Sequence, residues 1–404
     1  MLLERSLLVF FASLAVCAGC ASRPSAPVAA PPTRLDVKTQ IISPSIAGTE
    51  AELMLRGERA LLEQKWKDAA EIFETLVASG PDAKLVPMAI FDLGVAYEGL
   101  GKQAKSRDRY LEVASRFPEG ALARTALLRG AAMEAYLEEW GPLGTVANIL
   151  LLRSDLDEID RMSGLAARGL SKIEAGDDIG ASRDIGDGLD IAEAAQFGTS
   201  GRLPPAAAEL RFALGEIRRV RSERITFVNV DHPGVVPADF LLKIEMRAQG
   251  LLDAQSSYAD AMRSVDPHWI AMSSYRVGEM YRSLHRDLMA IPPTDQAKSD
   301  YQKQIFFGIM HVRYRVLLEK GLEMMTRTVA MGESQTDSSA WVRRAEAAKA
   351  EMEIALLDER AAIARYPFTE EELQKALDIM EKKATSKPGQ KPSEKPYRPT
   401  DRFR

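Results

Sequence analysis

A chain of 404 residues with 46% hydrophobic content has the apolar material for a sizeable core, which excludes a disordered protein, and its length corresponds to two or three domains. The formal net charge of −5 sets up no basic field of the kind that a nucleic-acid partner demands. Charge is nonetheless uneven, because Lys382 to Arg404 carries a net of +6 and leaves −11 for the rest.

At the start of the chain, Arg5 and the amino terminus supply positive charge, and Leu7 to Val16 form an apolar run too short to span a bilayer comfortably. The run ends in Val16-Cys17-Ala18-Gly19-Cys20. This resembles the lipobox of bacterial lipoproteins, although Cys17 stands where that motif usually has Leu and Glu4 weakens the positive region. The resemblance implies cleavage of residues 1–19, acylation of Cys20, and, with Ala21 rather than Asp following, sorting to the outer membrane facing the periplasm. An uncleaved membrane anchor or an ordinary secretory signal are the alternatives. Cys17 and Cys20 are the cysteines of the chain, so cleavage and acylation would leave no thiol for a disulfide or a Cys-ligated metal site. Residues 20–48 are rich in Pro, Ala, Ser and Thr, including Pro31-Pro32, and read as a linker.

Thr49-Glu50-Ala51-Glu52 reads as a capping box that opens the folded body. From there to about Trp140, pieces of the chain overlay at a period of 36 to 37 residues. Gly57, Ala69, Phe73 and Pro81 fall at offsets 0, +12, +16 and +24, and from Gly94 the same offsets give Ser106, Tyr110 and Pro118. Gly130 opens a third copy whose downstream half has drifted, and Gly169 with Ala181 marks a degenerate fourth. The pattern resembles the tetratricopeptide repeat, in which small residues let two antiparallel helices approach, an aromatic locks them and Pro ends the second. That resemblance implies a solenoid of helical hairpins over residues 49–197.

Gly198 to Pro205 reads as a boundary, and 206–383 as a second helical domain of degenerate repeat character. Its first helix ends in Arg218, Arg219, Arg221 and Arg224, basic charge that suits a helix C-terminus. A loop follows at Ile225 to Val236. Pro237 to Val265 has an apolar stripe at helical spacing, and Asp266-Pro267 is a strong helix start. Long helices are expected at about 297–331 and 338–365 with Gly332 as the stop between them, and Thr369-Glu370-Glu371-Glu372 caps a last one. Residues 384–404 have Pro every three or four positions among Lys and Arg, a composition that cannot bury enough apolar surface to fold alone. The expected fold is therefore all-α, a tetratricopeptide-like hairpin solenoid followed by a bundle of long helices. Trp269, Ala271, Tyr275-Arg276-Val277-Gly278 and Tyr281 are similar to the C-terminal part of envelope tetratricopeptide proteins of the myxobacterial gliding-motility apparatus. The first repeats are also similar to those of lipoproteins that assemble outer-membrane barrels.

Signals for chemistry are sparse. His232, His268, His285 and His311 have no Cys companion and no carboxylate at metal-ligand spacing, and neither a nucleophile elbow nor a phosphate-binding loop is present. Asp177-Asp178 offers the acid pair a glycan hydrolase would need, but such pairs are common on solvated helices. No metal or cofactor is expected. What remains is a non-enzymatic scaffold lipoprotein that binds envelope proteins through a helical-repeat groove. The family's groove positions, carried onto the matching copies, are Met54, Glu58, Phe91, Glu98, Arg124 and Glu134. They would suit a partner segment with apolar anchors and some positive charge. A pilus-assembly accessory lipoprotein or a peptidoglycan-acting enzyme are the alternatives.

Overall fold

The computed structural model describes residues 49–80, 84–197, 201–227, 239–293, 297–334 and 340–385. The lipobox with Cys20, the linker, His232, most of the loop expected after Ile225 and the basic segment beyond Thr385 lie outside these residues. The described residues are all-α. The first eight helices form four hairpins: α1 (Thr49–Leu62) with α2 (Trp66–Ala78), α3 (Val86–Gly99) with α4 (Gln103–Arg116), α5 (Ala123–Leu137) with α6 (Trp140–Leu151), and α7 (Glu158–Glu174) with α8 (Asp178–Ala194). After them come α9 (Pro205–Glu223), α10 (Phe240–Ala261), α11 (Pro267–Met289), α12 (Asp300–Ser334), α13 (Ala340–Ile363) and α14 (Glu370–Thr385). None of these helices is long and apolar enough to cross a membrane.

Two compact units result, 49–213 with 263–266 and 214–262 with the residues from 267 onward. The division falls inside α9, whereas the composition of Gly198 to Pro205 suggests a break ahead of it.

In the first unit the repeat is visible in the packing. Consecutive helices pack on one another, and the first helices of neighbouring hairpins lie side by side, α1 with α3 and α5 with α7. A methyl group on Gly57 would sit 2.5 Å from Phe73 Cζ, and one on Gly94 would sit 2.7 Å from Tyr110 Cε1. The residue at +16 thus lies on the glycine at 0, as the sequence offsets require. Ser106, at +12, donates to the Gly94 carbonyl at 2.9 Å. Ile185 stands over Gly169 in the same way, which makes α7 and α8 a true fourth copy. In the third copy Gly130 is closed by Leu111 of the preceding hairpin, consistent with its drifted second half.

The turn inside each hairpin recurs as well. Gln64, Gly101, Glu138 and Gly176 take left-handed backbone conformations with φ of 57°, 68°, 58° and 78°. Each is followed by a residue whose N–H reaches back five positions, Lys65 to Ala60, Lys102 to Tyr97, Glu139 to Glu134 and Asp177 to Lys172, at 2.8–2.9 Å. This closure satisfies carbonyls that the helix end leaves open. Asp157 and Asp177 cap α7 and α8 through their side chains, so the carboxylate of Asp177 is occupied with a structural task.

The second unit is built on longer helices. α11 packs on α12 and α13, α12 on α13 and α14, and α10 on α11. Trp269 and Trp341 are fully buried, and Met325 fills the space between Ala345, Ala348 and Met352. Gly332 does not end a helix. α12 runs on to Ser334, and a methyl group at Gly332 would meet Val342 Cγ1 and Cγ2 at 2.6 Å; the glycine admits α13. The basic end of α9 is also more than a dipole complement. Arg219 grips Glu216 at 2.7 Å and Glu223 at 2.6 Å. Arg218 donates to Ser257 at 2.7 Å. Buried Glu216 further receives Arg276 at 3.0 Å and the Tyr258 hydroxyl at 2.5 Å. Although burial opposes ionisation, these two guanidiniums and the phenol hold its carboxyl down to about 2. The Thr369 capping box is formed, with Thr369 N–H donating to Glu372 at 2.8 Å and Glu372 N–H to the Thr369 hydroxyl at 3.2 Å.

Candidate functional site

The groove positions expected from the repeat divide into two groups. Met54 and Phe91 are 0% and 3% exposed. Met54 belongs to the core between α1, α2 and α3, and Phe91 lies 5.2 Å from the Tyr110 ring. Both are therefore core residues and not groove lining, because large apolar side chains at these positions gain more from burial between helices than from a wet face. Glu134 is buried as well. Burial pushes its carboxyl up to about 7, an effect that Arg107, 3.7 Å away, offsets only partly. Arg124 is committed to Asp160 at 3.2 Å and to the Asp155 carbonyl at 2.9 Å.

Glu58 and Glu98 do share a surface, together with residues that the repeat positions did not single out. Glu58 on α1 is half-buried, and desolvation raises its carboxyl. Asp92 on α3 is pushed up to about 7 by desolvation first and by the charge of Glu58 second, with Arg129 on α5 pulling the other way. Glu98 accepts from Arg129 at 2.8 Å and from the Tyr110 hydroxyl at 2.6 Å. Arg129 also lies over the rings of Phe91 and Tyr110, at 5.9 and 5.7 Å from their centroids.

Farther along the same helices, the Tyr136 hydroxyl on α5 donates to Asp266. Burial, followed by the charges of Asp266, Glu98 and Glu209, keeps this phenol protonated well above its usual range. Glu209 on α9 is 4% exposed, and its Oε2 accepts from Ser163 of α7 at 2.9 Å. Its Oε1 is buried with no hydrogen-bond partner among the described residues. Desolvation raises Glu209 to about 8, helped by the charge of Asp266 and opposed by the Ser163 hydroxyl. The first helices of the hairpins thus carry a strip of carboxyls, several of them held in surroundings that penalise their ionised form.

A clue was present in the sequence, since Asp92 and Glu209 interrupt apolar runs, Ala89-Ile90-Phe91-Asp92-Leu93 and Ala206-Ala207-Ala208-Glu209-Leu210. The Tyr136–Asp266 pair had none, being separated by 130 positions.

The histidines regroup in the second unit. His285 Nε2 lies 3.2 Å from Glu359 Oε1, and His311 Nδ1 lies 2.5 Å from Glu359 Oε2. Burial opposes ionisation of Glu359, yet the two imidazoles hold it down to about 2. Each carboxylate oxygen is used by one ring, and no group of His, Cys, Asp or Glu among the described residues is placed to hold a metal ion. His268, buried beside Trp269 and Trp341, is pushed down to about 3 by desolvation.

No protein-family model matches the sequence, and no curated protein matches it either. Among solved structures, the chain is similar to a tetratricopeptide repeat protein from Parabacteroides merdae ATCC 43184, with 13% identity over 74% of this chain and 98% of that one, at a TM-score of 0.38. It is also similar to the APC/C hetero-tetramer Cut9-Hcn1, with 14% identity over 84% of this chain and 71% of that one, at a TM-score of 0.27. Scores this low assign no function. The tetratricopeptide-like character rests on the packing of Gly57, Gly94 and Gly169 under the residues at +16 and on the recurrent hairpin turns.

Proposed function

We propose that this protein is a scaffold that binds other proteins through the first helices of its hairpins, held to the periplasmic face of the outer membrane by lipid on Cys20. The observation that carries the scaffold role is the side-by-side placement of α1 with α3 and α5 with α7, which builds one continuous surface from successive repeats. Surfaces of this kind receive extended or helical segments of partner proteins. The anchor rests on the lipobox-like Cys17-Ala18-Gly19-Cys20 and the Pro/Ala-rich stretch after it. Several acyl chains, at about 0.8 kcal/mol for each buried methylene, would make the attachment effectively permanent. The proposed role is assembly of an envelope complex. The gliding-motility apparatus is the specific candidate, on the strength of Trp269, Ala271, Tyr275 to Gly278 and Tyr281; barrel assembly is the alternative.

Cys20→Ala tests the anchor. The variant is expected to leave the membrane for the soluble periplasmic fraction and to lose incorporation of labelled palmitate. Retention on membranes after a high-salt wash would contradict it.

A further inference from the structure

The carboxyl strip of the first unit contains a group whose chemistry is incomplete. Glu58, Asp92, Glu98, Asp266 and Glu209 follow one another along α1, α3, the short segment before α11, and α9, each close enough to its neighbours, or to the Tyr136 phenol between them, to feel their charge. Arg129 faces Asp92 and Glu98, but its guanidinium is already engaged by Glu98 at 2.8 Å and by the Tyr110 hydroxyl at 3.1 Å. The buried Glu209 Oε1, unsatisfied among the described residues, stands near Asp266 and Tyr136. A buried acceptor without a donor is costly, and a cation brought there would supply donor and countercharge together.

We propose that this strip is the docking face for a lysine-bearing segment of a partner protein, with one ammonium group seated on Glu209 Oε1 beside Asp266 and Tyr136. Charge complementarity selects a cationic segment, and the shape of the site selects lysine. An ammonium group is compact and has three donors for the oxygens of Glu209, Asp266 and Tyr136, whereas the planar fork of arginine needs a wider approach than a carboxyl 4% exposed provides. Glu98, Asp92 and Glu58 then meet the cations that follow along the segment. This inference deepens the scaffold reading and rests on it.

The test uses the full chain and a fluorescein-labelled peptide of alternating lysine and serine, about 12 residues long so that it spans several hairpins, followed by anisotropy at low salt. Saturable binding is expected, weakened about tenfold or more by Glu209→Gln and again by Asp92→Asn, and falling steeply as salt is raised. Glu71→Gln on α2, an exposed acid away from the strip, should leave affinity unchanged. The same peptide with its lysines acetylated should not bind, and an arginine–serine peptide should bind more weakly. Thermal melts establish that each variant is folded. Affinities for wild type and Glu209→Gln that agree within about twofold, or equal binding of the acetylated peptide, would overturn the proposal. Photo-crosslinks to partners from α1 that persist unchanged in Glu209→Gln would sink the lysine site and leave the scaffold reading standing.

Discussion

Replacing Gly94 by alanine tests whether the repeat register has been read correctly. The added methyl would lie 2.7, 2.9 and 3.2 Å from Tyr110 Cε1, Cδ1 and Cζ, where an ordinary carbon contact needs about 3.5 Å or more. The ring has little room to retreat. Tyr110 is fully buried, its hydroxyl is tied to Glu98 at 2.6 Å and Arg129 at 3.1 Å, and α4 is pinned to the Gly94 carbonyl by Ser106 at 2.9 Å. Overpacking of this kind costs about 1–3 kcal/mol, and the better helix propensity of alanine returns up to about 1 kcal/mol. The expected net loss is about 1–2 kcal/mol, a fall in Tm of about 2–4 °C for each kcal/mol in a unit of this size. Urea unfolding followed by far-UV circular dichroism would measure it, with Lys67→Ala, on an exposed side chain of α2, as the neutral control. In a Tyr110→Leu background the same glycine change should become neutral or stabilising. A neutral Gly94→Ala in the wild type, or an undiminished loss in Tyr110→Leu, would refute the packing argument.

Further expectations follow from the buried acids and the hairpin turns. Glu216→Gln should cost about 3–5 kcal/mol by leaving Arg219 and Arg276 without their countercharge. Because the wild-type carboxyl titrates at about 2 when folded and has an ordinary value of 4.5, its contribution is present above that ordinary value and disappears as pH falls through the folded one, so the variant should show a flatter acid limb. Glu209→Gln should do the opposite. The folded carboxyl titrates at about 8 against an ordinary 4.5, so wild type and variant should match in acid, and the variant should gain as pH rises, levelling off above the folded value at no more than about 5 kcal/mol. Both are read from urea midpoints across pH. Gly101→Ala should cost about 1–2 kcal/mol by placing a side chain in the left-handed turn between α3 and α4; an unchanged midpoint would count against that turn.

The residues that reveal this fold in the sequence are those with a fixed steric duty. Gly57 and Gly94 admit an aromatic at +16, Pro267 opens α11 and Thr369 caps α14, and each duty depends on near neighbours in the chain. Gln64 and Glu138 stayed hidden because the left-handed turn tolerates residues other than glycine, so the period of about 37 is clearer in the backbone than in the letters. Gly332 has the right residue type for a helix stop, yet its role is set by Val342 across the packing interface. The candidate site was the least legible part. Whether an acid is exposed or half desolvated depends on which distant helices cover it, and Glu209 is paired with Ser163 from 46 positions away. The same holds for Glu359, whose two histidines come from α11 and α12.

The central claim is that partners dock on the first helices of the hairpins, and site-specific photo-crosslinking in cells tests it most directly. A photoreactive residue is placed at Leu55 on α1, an apolar side chain 55% exposed, and in a second variant at Lys67 on α2, whose side chain is 81% exposed. The account predicts discrete protein adducts from position 55 and none from position 67, with the adducts diminished when Glu58 and Asp92 are neutralised. Adducts from Lys67 alone, or none from Leu55 in cells where Cys20 is intact, would contradict it.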